Sequence, residues 1–510
     1  MLRKTRTCLT AGAAALTLAL TLAAPATATD DYGLPSLTGT SQAMTGEEFR
    51  LGRAWLRQFH ARAPIWQDPI AQEYVETLLG RLLPHSGLSD TRSVVVLVDS
   101  RTLNAFAVPG GVVGVNAGLF AFADEEDAVA SVLAHELGHL SQRHYARGQA
   151  RAEQTQLPAM AAMLAGMLIA ASGGGDAGIA AAMGSQAAFI QDQLAYSRRF
   201  EQEADRLGLQ TMAQAGFDPE AMVRMFRAMQ RQVSLQGGNP PEFLLTHPLT
   251  ESRISDAESR ASQLEAIRPR EGDPSYHLVR ARALLTVNQR DPQQAATRLA
   301  QSDAPPAVRR YLDALIAAHN GQTDTALSQL DAIARELPDL AIIPASAADV
   351  AFQAGRYDDA IERSRRILRL MPGHMPATRT LGEALLQREP NEAYRILRDL
   401  SERRPEDPQV FALLAEAAGR SGREAWGHLA RAEHMQLTGD IQRAIRQLDV
   451  ARQVAEQSGD GNALARIEQR REAFVGYRET MEKFRYRVGA GVTPGALPHH
   501  RTYRSVYGGS

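Results

Sequence analysis

Cysteine is almost missing: the 510 residues contain only Cys8, inside an N-terminal segment that reads as removable. The rest of the chain therefore has no disulfides and no thiolate metal ligands. Lysine is nearly absent too, and positive charge rests almost wholly on arginine. Neither sign of charge is in excess, since 56 basic residues face 58 acidic ones. Beyond the N-terminus no apolar run reaches the roughly 20 residues needed to span a bilayer.

The N-terminus carries Arg3, Lys4 and Arg6, an apolar run from Leu9 to Ala24, and Ala26-Thr27-Ala28, an A-x-A cleavage pattern. We read residues 1–28 as a secretory signal cleaved near Ala28. Cys8 stands too early for a lipoprotein anchor. Losing three basic residues leaves 53 against 58, a net charge of −5, which makes no general case for nucleic-acid binding.

Against these absences stands one compact motif. His135-Glu136-Leu137-Gly138-His139 spells H-E-x-x-H, and on a helix residues four apart share a face, so both imidazoles can reach one ion while Glu136 lies beside the water it carries. Asp124-Glu125-Glu126-Asp127 forms an acidic helix start, and Val129, Val132, Leu133, Leu137 and Leu140 recur at helical spacing behind it. A hydrolytic zinc site needs a third protein ligand and one open position. Glu201-Gln202-Glu203-Ala204-Asp205, in a helical stretch from about Gln186 to Ala215, supplies it: Glu201 and Asp205 share a face, suiting one as ligand and the other as its support. A solvated acidic face is the alternative.

Val94 to Val98, Ala105 to Val108 and Val112 to Val115 read as short strands, with Pro109-Gly110-Gly111 as a tight turn. His247 follows the loop signal Gly237-Gly238-Asn239-Pro240-Pro241 and precedes Pro248, which disfavours helix at the histidine. It is either a plain loop residue or a loop ligand able to enter and leave a metal. In the second case it would fill the open position and leave the site latent. Leu157 to Ala171, ending at Gly173-Gly174-Gly175, is strongly apolar. With Ile179 to Met183 it reads as a buried or covering helical hairpin, the alternative being an interfacial segment resting on a membrane.

These residues resemble the membrane-bound and periplasmic gluzincins that include HtpX and the CaaX-processing zinc proteases. The resemblance runs from Leu51 to about Arg260 and includes H-E-x-x-H, E-x-x-x-D, Asn104-Ala105-Phe106-Ala107-Val108-Pro109-Gly110-Gly111, Ser197-Arg198, and His247-Pro248 with Arg253. It implies one zinc ion on His135, His139 and Glu201, Glu136 as general base, and Asp205 orienting a ligand imidazole. It also implies His247 as a transition-state stabiliser beside the metal, a role compatible in another state with the fourth-ligand role of a loop histidine, with Arg253 as a transition-state contact, and substrate held on the edge of the small sheet, the alternative there being a plain structural hairpin.

From Asp273 strands vanish and helical segments of about a dozen residues alternate with turns. Gly321 and Gly355, like Ala326 and Ala360, stand 34 apart, and Pro338, Pro372 and Pro405 recur at 34 and 33, the tetratricopeptide period. About four repeats are countable, with 409–451 irregular. Such a solenoid serves as a protein-binding surface or as a structural arm. The tail from 489 is polar, and its His499-His500 reads as a solvated pair rather than a metal site.

The expected architecture is an α+β metallopeptidase domain, mainly helical with a small sheet, followed by an all-α repeat solenoid. The limits are 1–28 signal, 29–50 lead, 51–268 peptidase, 273–480 repeats and 481–510 tail. This order of parts is similar to that of periplasmic proteases serving outer-membrane β-barrel assembly. The resemblance implies unfolded or stalled barrel proteins as substrates and the barrel-assembly machinery as partner of the repeats, in the periplasm. A repeat-based chaperone or adaptor with little proteolysis is the competing reading.

Overall fold

The computed structural model describes residues 46–169, 175–235, 240–265 and 274–489. The secretory signal, Cys8, the tail with His499-His500, Gly173-Gly174 and Gly237 to Asn239 lie outside the described residues.

The first part opens with α1 (Gly46–His60) and α2 (Pro69–Leu82). Asp68 caps α2 by accepting from the amides of Ile70 and Ala71 at 3.1 Å, and Pro69 takes the first-turn place where no donor is needed. Three strands follow: β1 (Val94–Val98), β2 (Ala105–Val108) and β3 (Val112–Asn116). Their limits agree with the sequence reading to within one residue because β-branched runs are separated by a true turn. Gly110 and Gly111 both have positive φ, 92° and 75°, which side chains resist. The sheet order is β1-β3-β2, with β1 parallel and β2 antiparallel to β3. The amide of Asn116 donates to Asn104 O at 3.1 Å, and this register turns the peptide groups of Ala105 and Ala107 away from β3, towards the outer edge.

Helices α3 (Ala117–Phe122), α4 (Glu126–Ser141), α5 (His144–Ile169), α6 (Gly175–Ala215), α7 (Glu220–Leu235), α8 (Glu242–Thr246) and α9 (Glu251–Ala261) complete this part. Helix α6 begins eleven residues before the expected Gln186 and pairs with α5 as a long hairpin. Met160, Leu164, Met167 and Met183 on it are exposed, so the expected burial of the apolar segment fails at these positions. Among the described residues no helix is long and apolar enough to cross a membrane.

The repeat part comprises α10 (Pro274–Val287), α11 (Pro292–Ala300), α12 (Pro306–His319), α13 (Thr323–Glu336), α14 (Ile342–Gln353), α15 (Tyr357–Leu370), α16 (Met375–Leu386), α17 (Pro390–Arg403), α18 (Pro408–Arg420), α19 (Glu424–Leu437), α20 (Ile441–Ser458) and α21 (Gly461–Gly489). These form six consecutive helix pairs among the described residues, not four, and 409–451 is regular. Gly422 has the positive φ of Gly321 and Gly355, 73° against 77° and 73°, and stands two periods, 67 residues, beyond Gly355. The intervening turn uses Arg388-Glu389, which hides the period.

The hydrophobic core does not break between the two parts. It runs from Trp66 and Tyr74 through Phe120 and Leu133 to Tyr276 and on to Leu414. Tyr276 packs 6.4 Å from Tyr74 and 6.3 Å from Phe120, and its hydroxyl donates to Ala123 O at 2.8 Å. At the other end α1 bridges the two parts: Leu56 and Phe59 pack on Val96, Val98 and Val112 of the sheet, while Ala54 shares a core with Leu429, Ile441 and Phe474. Gly439 lets α1 approach, since a Cβ there would lie 2.7 Å from Arg57 O. Arg57 Nε donates to Gln436 Oε1 at 2.7 Å.

A candidate metal centre between two close-packed helices

Helix α4 carries His135, Glu136 and His139, and α6 carries Glu201 and Asp205. Their approach depends on small residues. A Cβ on Gly138 would lie 2.9 Å from Ala204 O, and one on Gly208 would lie 3.2 Å from the backbone nitrogen of His135. Without side chains at these points, backbone meets backbone and Glu201 reaches the two imidazoles.

The four residues His135, His139, Glu201 and His247 each place one donor atom so that all lie within 4.8 Å of one another. His135 Nε2 is 3.0 Å from His139 Nε2, 3.4 Å from Glu201 Oε2 and 3.3 Å from His247 Nδ1. His139 Nε2 lies 3.5 Å from Glu201 Oε1, and His247 Nδ1 lies 3.2 Å from both Glu201 oxygens. Three imidazoles and one carboxylate, converging and largely buried, suit a borderline-soft divalent cation. The structure thus brings all four sequence-predicted metal residues to one point.

Glu136 is buried beside them. Its Oε1 has no hydrogen-bond partner and lies 3.4 Å from His247 Nε2. Burial raises its pKa, opposed by His247, His135 and a hydrogen bond from the Ala107 amide on β2. A buried carboxylate oxygen left unpaired at the mouth of a donor cluster fits a place for a polarised water.

The surroundings fix the donors. His135 Nδ1 lies 2.8 Å from Asp205 Oδ1. Asp205 in turn accepts from Arg253 Nε and Nη2, both at 2.7 Å. Arg253 Nη1 sits 3.0 Å from Glu201 Oε2 and donates to Pro248 O at 2.9 Å. Burial works against protonation of His135, but Asp205 and Glu201 overcome it and raise its pKa to about 9. Burial likewise favours neutral Glu201, yet His247 and His135 hold its carboxyl far below the usual range. Burial, His135 and His247 together push His139 well down. The cluster is electrostatically poised for a cation.

His247 ends α8 with its amide bonded to Phe243 O at 2.9 Å and its ring stacked on Phe243 at 4.7 Å. Sequence reading missed His144. Its Nδ1 is 3.0 Å from His139 Nδ1 and its Nε2 is 3.0 Å from Glu203 Oε2. A histidine five residues past H-E-x-x-H was visible, but helical spacing could not place it. Arg143, with φ 52°, breaks the helix between them.

Residues 69–261 match the model of peptidase family M48, and residues 351–417 match a tetratricopeptide-repeat model. The β-barrel assembly-enhancing protease of Escherichia coli K12 is 33% identical over 439 residues, covering 84% of this chain and 88% of that one. The chain belongs to the β-barrel assembly-enhancing protease family. The counterpart in Yersinia pestis is 32% identical over 81% of this chain and 86% of its own. The mitochondrial metalloendopeptidase OMA1 of Schizosaccharomyces pombe is 32% identical, over 40% of this chain and 56% of its own. All four clustered donors lie within the M48 match. As a member of this family the chain is a metalloendopeptidase, with tetratricopeptide repeats following its peptidase part.

Proposed function

We propose that this chain is a periplasmic zinc endopeptidase, divided near 51–268 and 273–480 into peptidase and repeat parts, that cuts unfolded or misassembled outer-membrane β-barrel proteins and helps others assemble. In this reading His135, His139 and Glu201 hold one zinc ion. When bound, zinc supplies a Lewis acid and lowers the pKa of its water towards neutrality. Glu136 accepts the water's proton, its buried carboxylate aimed at the cluster. Asp205 fixes the tautomer of His135. Arg253, spent on Asp205, Glu201 and a carbonyl oxygen, first holds the carboxylates in place. A transition-state contact by it requires a change in those bonds.

The observation that carries the reading is the double engagement of His247. Its Nδ1 points into the donor cluster while its Nε2 lies 3.4 Å from Glu136 Oε1. In this reading one imidazole occupies the open position and the general base together, and the arrangement is the latent form of the site. Withdrawal of α8 and its stacked Phe243–His247 pair would free both. On the same reading an extended substrate strand adds by main-chain hydrogen bonds at the outer edge of β2, to the outward peptide groups of Ala105 and the carbonyl of Ala107, whose amide already turns to Glu136, taking its pockets from the neighbouring helices. The proposal gives the assembly machinery to the repeats, and a cavity of about 1070 Å³ between them and α1, lined by Phe49, Arg57, Trp426, Arg470 and Tyr477 among others, supports it as a surface for a partner.

The same closure favours a second reading, a repeat-based chaperone with little proteolysis. Cleavage of an unfolded model protein by the zinc-loaded chain, compared with Glu136→Gln and His247→Ala, tests the first. Outer-membrane assembly supported by Glu136→Gln in cells would favour the second.

A further inference from the structure

His144 lies outside the donor cluster, is buried, and has no part in the chemistry above. Arg143 takes a left-handed φ of 52°, a conformation that side chains resist, and so turns the chain between α4 and α5. That turn places the His144 ring against His139. The ring is clamped: it stacks on Phe200 at 4.2 Å with planes 17° apart.

The hydrogen bonds around it admit one arrangement. His139 turns Nε2 to the donor cluster, 3.0 Å from His135 Nε2 and 3.5 Å from Glu201 Oε1. A nitrogen that binds an ion carries no proton, so neutral His139 carries its proton on Nδ1 and must donate it. The atom 3.0 Å away is His144 Nδ1, which accepts only if His144 is protonated on Nε2. Nε2 lies 3.0 Å from Glu203 Oε2, an acceptor. Glu203 is held in turn by Arg147 Nη1 at 2.8 Å. The donors run in one direction, from His139 through His144 to Glu203.

We infer that His144 is a positioning residue for the metal centre, holding His139 in the tautomer and ring orientation that present Nε2 to the ion, with Glu203 and Arg147 anchoring it. The inference rests on His139 as a metal ligand. The two ligand imidazoles are then supported differently. His135 meets a carboxylate directly through Asp205, whereas His139 meets one through an intervening imidazole.

The test is zinc affinity of the full chain, measured by competition with a chromophoric chelator, for the native sequence, His139→Ala, His144→Leu and His144→Asn. An asparagine oxygen stands near the place of Nδ1 and can accept from His139; leucine cannot. We expect His144→Leu to bind zinc roughly ten- to a hundredfold more weakly and His144→Asn to recover most of that loss, with metal-free unfolding midpoints alike in the two variants. Zinc affinity unchanged in His144→Leu while His139→Ala loses it would overturn the inference and leave the ligand assignment standing. Equal weakening in both His144 variants would reduce His144 to packing and overturn it as well. Unchanged affinity in His139→Ala would overturn the ligand assignment itself.

Discussion

A methyl group on Gly138 would sit 2.9 Å from the carbonyl oxygen of Ala204. This closeness of α4 and α6 brings Glu201 to the two imidazoles. Alanine at 138 gains about 1 kcal/mol of helix propensity, but the clash with backbone costs about 1–3 kcal/mol, and the helices must part to relieve it. Gly138→Ala is expected to weaken zinc binding without raising the unfolding midpoint. Metal titration and thermal denaturation of the purified chain check it.

Replacing Glu136 by glutamine removes the proposed proton acceptor and leaves the four clustered donors intact. Cleavage should fall by roughly a hundred- to ten-thousandfold with zinc content unchanged. If His247 closes the site as proposed, His247→Ala frees Glu136 from its neighbour and cleavage should rise. Single-turnover assays on an unfolded protein read both effects, and a fall in activity on losing His247 would give it a role in the reaction instead.

Asp205 bridges His135 and Arg253 while buried. Asp205→Asn halves its accepting capacity and leaves the buried guanidinium with Glu201 as its remaining charged partner, a change that costs less than the roughly 3–5 kcal/mol of a fully unpaired buried charge and lowers zinc affinity about ten- to a hundredfold. Denaturant titration with and without zinc separates the two losses.

His374 gives a pH dependence away from the metal. Its Nδ1 accepts the Ala377 amide at 3.2 Å as the cap of α16, and its Nε2 lies 3.4 Å from Glu73 Oε2 on α2. Burial lowers its pKa below 6.5, opposed by Glu73. A depressed folded pKa means that the unfolded chain binds the extra proton first. Its contribution is therefore present above about pH 6.5 and lost as pH falls below it. Between pH 7.5 and 5.5 the native chain should lose more stability than His374→Asn, which caps without titrating. Urea midpoints at the two pH values decide this.

Much of the architecture was legible. Val94–Val98 and its two neighbouring strands announce themselves by β-branched runs broken at Gly110-Gly111. His135 and His139 declare their shared face by spacing alone. Glu201 and Asp205 needed the first pair to be read as more than a charged face, and His247 needed resemblance, because a histidine before proline has no periodicity to read. The fifth and sixth helix pairs were hidden because Arg388-Glu389 stands where the period calls for the glycine of Gly355 and Gly422.

The sequence by itself determined the elements and the half-site on α4, since helix pitch, strand alternation and turn stereochemistry act over a few residues and need no partner. Only the tertiary structure decided what meets what. It set α1 against α19 to α21, ran one core through Tyr74, Phe120 and Tyr276, and brought His144 to His139 across the turn at Arg143. It also turned both nitrogens of His247 onto functional groups. Such contacts depend on how apolar faces of many elements close together, and no local pattern contains that information.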